Sequence, residues 1–555
     1  MSKRKLQKVL GLILSAAMVV GLAACGSEET KGTTAGSETQ KESVVESTTP
    51  AETSEKEPEV VVSTYPLDTD VTLRFWCASA MKYQSAFNSA DESPFHSGLE
   101  KNTGVDIEWE FPQDGVHPSQ AFSLLMTENE LPHMIYYWPT PAEGEEYIQD
   151  GLIWDLTDYL PVYAPDYWEH INSDEVVSLR RAVTTESGKH YMIAGSVESD
   201  FCITYRGFAL RKDWLDECGL DIPVTLEDWE KVLITFKEKY NATFSSPKIG
   251  YAMASGTGAY ADNKATWYVE DGKVNLANIT DEYKEYLQIL NKWTEMGLID
   301  PDIATNDNAS IRNKCVNNEV GAMYIGSGTL RNILADAETS GNGAEWIGVQ
   351  HPVTEEGESV TYFQTRPSLG HDNGAFITKE CSEEELIVAL QFLNYAFTEE
   401  GFMYWNFGNE GESYTLDADG KPMWTELITE SEVGANTAYT YYIGTSASGP
   451  AIQAEALIEL LNPGVAGEAL RQWTSNVDSA KKHLMPKVSL TAEENLVYTD
   501  AWAAIQTYVS ESFAAFISGD KSFDEWDNYV ADLEKIGLSE CREVQQDAYD
   551  RWLTK

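Results

Sequence analysis

Positive charge is scarce in this sequence. Its 555 residues hold 39 Lys and Arg against 90 Asp and Glu, a formal net charge of −51. Such a surface repels phosphate backbones and anionic headgroups, which excludes nucleic acid as a partner class. Long apolar runs are also rare: the longest, 9–22, spans 14 residues, fewer than the ~20 that a permanent membrane-spanning helix requires. Seven cysteines are too few for a dense disulfide framework, and no C-x-x-C spacing suggests zinc. Six lie beyond Cys25, and any pairing among them stays open. No G-x-S-x-G elbow, Walker loop, G-x-G-x-x-G after a strand or H-E-x-x-H occurs, and the eight His are scattered. No catalytic residue, metal site or cofactor is therefore expected. The stretch "DADGKP" (417–422) starts like a calcium loop, but Pro422 and Ile428 stand where Gly and Glu are needed, so it reads as an Asp-Gly turn.

The N-terminus has the features of an export signal. Lys3, Arg4, Lys5 and Lys8 precede the apolar run, which ends in Leu22-Ala23-Ala24-Cys25. That ending resembles the bacterial lipobox, which implies cleavage before Cys25 and a diacylglyceryl group on its sulfur. Two acyl chains suffice for lasting attachment. A plain cleaved signal is the alternative. Loss of 1–24 removes four positive residues, leaving 35 − 90 = −55. The next 35 residues, 26–60, hold 9 Glu, 7 Thr, 5 Ser and no aromatic. They bury too little to offset chain entropy and read as a disordered tether over 25–65, about 30–35 Å in mean reach.

Beyond the tether, short apolar runs alternate with amphipathic ones. Strands are expected at 71–76, 104–111, 133–138, 248–253, 320–326 and 346–352. Helical spacing joins Tyr283, Leu287, Leu290 and Trp293, and likewise Leu386, Leu390, Leu393 and Phe397. Thr225, Ser382, Thr491 and Ser522 each precede an acid by three residues, the capping-box signature. Gly297 and Gly537 are expected at helix C-termini. The last 60 residues read as helical, with Trp502, Ile505, Val509, Phe513, Phe516 and Ile517 on one stripe. Strands alternating with helices give an α/β fold.

Aromatics are plentiful: 16 Trp, 28 Tyr and 18 Phe. Trp76 and Trp138 close predicted strands, while Trp267, Trp405 and Trp424 sit in loop-like surroundings. Flat rings complement the apolar face of a sugar, and interleaved polar groups its hydroxyls. Core packing is the competing explanation for each ring. Glu410 and Glu412, set between glycines, would accept hydrogen bonds from sugar hydroxyls or simply occupy a surface turn.

Several stretches carry a family resemblance: "GLIWDLTDYLPVYAPDYWE" (151–169), "ALRKDWLDECGLDIPVTLEDWEKVLITFKEK" (209–239), "ITKECSEEELIVALQFLNYAFTEEG" (377–401) and "DEWDNYVADLEKIGLSECREVQQDAYDRWL" (524–553). With these the chain resembles the solute-binding lipoproteins of Gram-positive ABC importers, extracellular family 1, sugar-binding type. It departs from them at His133, where family members often carry Asp. The resemblance implies a two-lobed, periplasmic-binding-protein-like type II fold with hinge crossings and a helical C-terminus. Mapped onto this chain, it gives one lobe over 66–200 plus 366–475 and a second over 201–365 plus 476–555. It implies a non-enzymatic monomer that takes an oligosaccharide to permease subunits served by a separate ATPase. A surface-anchored glycosidase and a binder of another solute, such as a peptide, are the rival readings. In open α/β sheets ligands lie beyond the carboxyl ends of strands. That rule and the family plan select Trp76, Tyr136, Trp138, Tyr260, Tyr324, Ser327, Arg366 and Asn373 as ligand-contacting candidates, and the aromatic and acidic patterns add Trp267, Trp405, Glu412 and Trp424. Ser327 would offer its backbone N–H at a helix start.

Overall fold

The protein's computed structural model describes residues 60–78, 86–87, 89–113, 116–247, 253–362, 365, 369–444 and 449–555. In chain order the strands are β1 (Thr72–Cys77), β2 (Asp106–Glu110), β3 (Met134–Tyr137), β4 (Ile193–Val197), β5 (Arg206–Arg211), β6 (Thr243–Ser245), β7 (Trp267–Glu270), β8 (Lys273–Leu276), β9 (Val320–Gly326), β10 (Trp346–Val349), β11 (Gly370–Ile377), β12 (Tyr414–Leu416), β13 (Pro422–Trp424) and β14 (Ile452–Gln453). Strands expected at 71–76, 104–111, 133–138, 320–326 and 346–352 form, most of them trimmed at the ends. The one expected at 248–253 falls, apart from Met253, outside the described residues.

Two larger sheets form. The first has the order β14-β4-β11-β3-β1-β2 and the second β10-β5-β9-β6. In the first, β1 runs parallel to β2 and β3, while β11 enters antiparallel between β3 and β4. The chain therefore crosses from the first sheet to the second between β4 and β5, and returns between β10 and β11. It crosses again after β14, through 454–464, to the helix Val465–Thr474. That helix belongs to the segment 366–475, which the sequence reading grouped with the first sheet. It packs instead on the second: Trp473 Nε1 donates to the Phe208 carbonyl at 2.9 Å. Gly348 lets the helix approach, because a Cβ there would lie 2.2 Å from Ala469 Cβ. Periodicity reveals that a helix has an apolar face, but not which sheet that face covers.

Each sheet carries its own core. Leu73, Ile135, Tyr167, Phe376 and Leu393 gather around the first, and Phe208, Trp229, Tyr286, Trp293 and Phe516 around the second. The C-terminal helices Ala492–Ser518, Trp526–Ile536 and Leu538–Thr554 bring Ile505, Val509, Phe513, Phe516 and Ile517 into the second core, as their spacing predicts. Trp502 is only partly buried and stacks on Trp267 instead. All four predicted capping boxes form. Gly537 caps the helix Trp526–Ile536, and Gly297 follows the C-cap Met296 in left-handed conformation. None of the six described cysteines beyond Cys25 is joined in a disulfide. No described helix is long and apolar enough to cross a membrane. The "DADGKP" stretch forms the β12–β13 turn, with Asp417 Oδ1 accepting from the Asp419 and Lys421 N–H groups at 2.9 Å.

Candidate functional site

The carboxyl end of the first sheet carries a stack of rings. Phe122, from the helix Pro118–Leu125, lies 3.8 Å from the Tyr137 ring at an interplanar angle of 12°. Tyr137 in turn stacks on Trp138 at 4.3 Å and 23°. Trp138 is half-buried and ends the pile, so part of its ring meets solvent. The sequence selects Trp76 and Tyr136 as well, yet both are core side chains. Trp76 lies 6.4 Å from Phe122 and supports the stack from beneath. Strand register explains the difference, since successive residues point to opposite faces and only the residue past the strand escapes cover. On β11, Gly374 stands opposite Tyr137. One step further in that register, the half-buried Asn373 comes beside Trp138.

The second sheet presents the end of β9 and the start of β5. Tyr324 is fully buried against Phe208 and His351, and among the described residues its hydroxyl has no hydrogen-bond partner. Burial holds that hydroxyl well above its ordinary pKa. Ser327 begins the helix Ser327–Ser340, but its N–H already donates to the Tyr205 carbonyl at 2.9 Å. The expected N–H offer therefore passes to the following residues. Tyr205 itself is missed by sequence reasoning. It is 49% exposed and lies under the Arg206 guanidinium, 5.2 Å from its ring centroid. Its place just before β5, at a crossing between sheets, is the signal that marks it.

Other candidates do not join this region. Trp267 stacks on Trp502 at 4.8 Å and donates from Nε1 to the Tyr498 hydroxyl at 2.9 Å, which fastens the β7–β8 hairpin to the C-terminal helices. Tyr260 stacks on Tyr268 at 4.6 Å beside His483. Trp405 is buried against Phe95 in the first core. Trp424 stacks on Tyr439 at 6.1 Å in a small separate cluster with Phe407. The Glu412 side chain is exposed in a turn and accepts from Asn409 Nδ2 at 3.0 Å. The contacts these side chains make are packing and turn contacts, and an aromatic beside a glycine reads alike in a core and at a crevice. Arg366 and Cys25 lie outside the described residues. At the family departure, His133 Nδ1 accepts the Arg74 N–H at 3.0 Å, tying β3 to β1. Among the described residues no group of three or more His, Cys, Asp or Glu gathers as a metal site would require.

The crossings that join the two sheets are well bonded. Thr204 and Thr365 share a hydroxyl–hydroxyl bond of 2.7 Å, and Val197 N–H donates to the Leu369 carbonyl at 2.8 Å. Lys481 pairs with Asp200 at 2.7 Å across the same region. Trp138 and Tyr205 thus stand at the ends of two sheets connected by paired segments.

Residues 96–406 match the family model of the bacterial extracellular solute-binding proteins. The lipoprotein LipO of Bacillus subtilis strain 168 is 28% identical over 342 residues, 59% of this chain and 65% of LipO, just under two thirds of its length. The fructooligosaccharide ABC transporter substrate-binding protein FusA of Streptococcus pneumoniae serotype 4 is 23% identical over 88% of this chain and 92% of FusA. Among solved structures, the alginate-binding protein AlgQ2 superposes with a TM-score of 0.68 at 20% identity, covering 88% of this chain and 99% of AlgQ2. FusA in complex with kestose gives 0.67 at 20% identity, over 87% of this chain and all of that one, 100%. The fold is therefore the type II arrangement that the sequence resemblance implies, with β11 inserted antiparallel in the first sheet. The chain belongs to the bacterial extracellular solute-binding protein family.

Proposed function

We propose that the protein is the lipid-anchored, extracellular substrate-binding component of an ABC importer, capturing an oligosaccharide between two lobes and delivering it to a separate permease. The first lobe is built on the β14-β4-β11-β3-β1-β2 sheet and the second on β10-β5-β9-β6 with the C-terminal helices. The observation that carries this reading is the Phe122–Tyr137–Trp138 stack, ending in a half-buried indole just past the carboxyl end of β3. A pyranose or furanose ring lays its C–H face on such a surface, and flanking polar groups such as Asn373 take its hydroxyls. FusA, AlgQ2 and YtcQ, whose names give fructooligosaccharide, alginate and polygalacturonan/rhamnogalacturonan as what they bind, support the ligand class. Closure requires the ligand to favour the closed state, which contacts from both lobes provide. The transport energy comes from partner subunits, and Cys25 carries the anchor.

Calorimetry of the purified protein against a panel of oligosaccharides tests the reading. Binding heat with no cleavage product on a chromatogram is expected, and steady release of products overturns it. Trp138→Ala should weaken the best ligand about tenfold, the loss of one aromatic face, with the melting temperature little changed. An unchanged affinity would remove Trp138 from the site.

A further inference from the structure

Acids outnumber bases more than twofold in this chain, 90 to 39, so its arginines readily find carboxylates. Arg74 pairs with Glu110 at 2.6 Å, Arg211 with Asp213 at 2.6 Å, Arg312 with Asp336 at 2.8 Å and Arg551 with Glu494 at 2.6 Å. Among the described residues no carboxylate pairs with Arg206, and its Nε is buried without a hydrogen-bond partner; Arg331, on the helix Ser327–Ser340, shares both traits but gives its Nη1 to the Leu461 carbonyl. A buried donor left unsatisfied costs free energy, more so when it is charged.

Arg206 is the first residue of β5, directly after the crossing 198–205 and opposite Gly326, the last residue of β9. It shares a sheet face with Phe208 and Tyr324, because residues two apart point the same way and these pair across the ladder. Tyr324 brings its own unpartnered buried hydroxyl to that face. Gly326 leaves space above: even an added Cβ would remain 3.9 Å from Arg206 Cγ. The helix Ser327–Ser340 starts from this corner without an acidic residue in its first turn, so its dipole adds positive potential there. Tyr205 covers one face of the guanidinium, its ring centroid 5.2 Å away.

We infer that Arg206 is a specificity-determining residue of the solute site and that the captured oligosaccharide carries a carboxylate, as a uronide does. This inference rests on the carbohydrate reading above. An arginine edge meets a carboxylate with two parallel hydrogen bonds, a geometry that neutral hydroxyls do not reproduce. The chain's overall negative charge acts against long polyanions, whereas the local contact works well inside the Debye length of about 10 Å at 0.1 M salt. The ligand is accordingly a short fragment with few carboxylates.

The test is calorimetry of the full mature protein with di- to tetrasaccharides of galacturonate, mannuronate and guluronate. Each acid is paired with its methyl-esterified, uncharged counterpart, and neutral fructo-, gluco- and galacto-oligosaccharides are run alongside. At least one acid should bind about tenfold or more tightly than its own ester, the worth of a charge-assisted pair. Arg206→Gln should bring that ratio to about one, and Arg206→Lys, which keeps the charge but not the fork, should retain part of it. The acid-to-ester comparison on the wild-type protein needs no variant, so misfolding of Arg206→Gln does not spare the inference. Equal binding of acid and ester overturns it, as does binding of neutral sugars alone; either result leaves the carbohydrate reading intact. Failure of both series, with the protein folded by its melting transition, overturns the inference and the reading together.

Discussion

Gly348→Ala should destabilise the protein by about 3 kcal/mol, the upper part of the range for overpacking a filled interior. The new methyl would meet Ala469 Cβ at 2.2 Å and its Cα at 2.3 Å. A backbone atom cannot step aside as a flexible side-chain end does, so the whole helix Val465–Thr474 must lift from the second sheet. That lift strains the Trp473 Nε1 bond to the Phe208 carbonyl and the third crossing that leads into the helix. Urea unfolding of Gly348→Ala checks the size, and the double variant with Ala469→Gly should recover about half of the loss, as expected for residues in direct contact. A neutral Gly348→Ala would mean that the helix does not sit on this sheet.

A second large effect belongs to pH. Burial lowers His96 and His351 to about 3 and His170 to about 4, against about 6.5 in an unfolded chain. His96 packs edge-on to Trp109 at 4.6 Å, and His170 Nε2 bonds the Ser196 hydroxyl at 2.8 Å. Because the folded values are depressed, the unfolded chain binds these protons first as pH falls. Their stability contribution is whole above about pH 6.5 and is lost progressively below it, by about 1.4 kcal/mol per pH unit for each histidine. Together the three remove about 4 kcal/mol per unit between pH 6 and 4, large beside the 5–15 kcal/mol of a typical domain. Relief of acidic self-repulsion works in the opposite direction over the same range, since carboxylates are then being neutralised. The clean readout is therefore a difference between proteins. His351→Gln should flatten the stability–pH curve below pH 6 by about 1.4 kcal/mol per unit relative to wild type, whatever it costs at pH 7. Parallel curves would show that His351 is not held neutral by burial.

Legibility differs sharply between elements. The capping boxes at Thr225, Ser382, Thr491 and Ser522 are local hydroxyl-to-backbone exchanges, so their spacing alone announces them. The stripe from Ile505 to Ile517 is equally plain, because a long amphipathic helix has one way to hide it. The site is legible only in part. Trp138 ends a ring stack and is partly open to solvent, whereas Trp267, Trp405 and Trp424, candidates on similar grounds, pack against other rings. Tyr205 and Arg206 sit inside "TYRGFALR", where no strand is expected from the sequence. The exposure of the Tyr205 ring and the absence of a carboxylate beside Arg206 among the described residues arise where β5 begins, in a sheet whose neighbouring strands come from residues more than a hundred positions away.

Sequence by itself determined the charge, the α/β alternation, the helix starts and the family. All of these depend on composition or on residues within a few positions of one another. Tertiary structure alone decided which sheet takes the helix Val465–Thr474, that β11 lies antiparallel between β3 and β4, and which aromatic rings face solvent. Those outcomes depend on pairings between distant segments, where a glycine without a Cβ or a strand that stops one residue early changes what can touch.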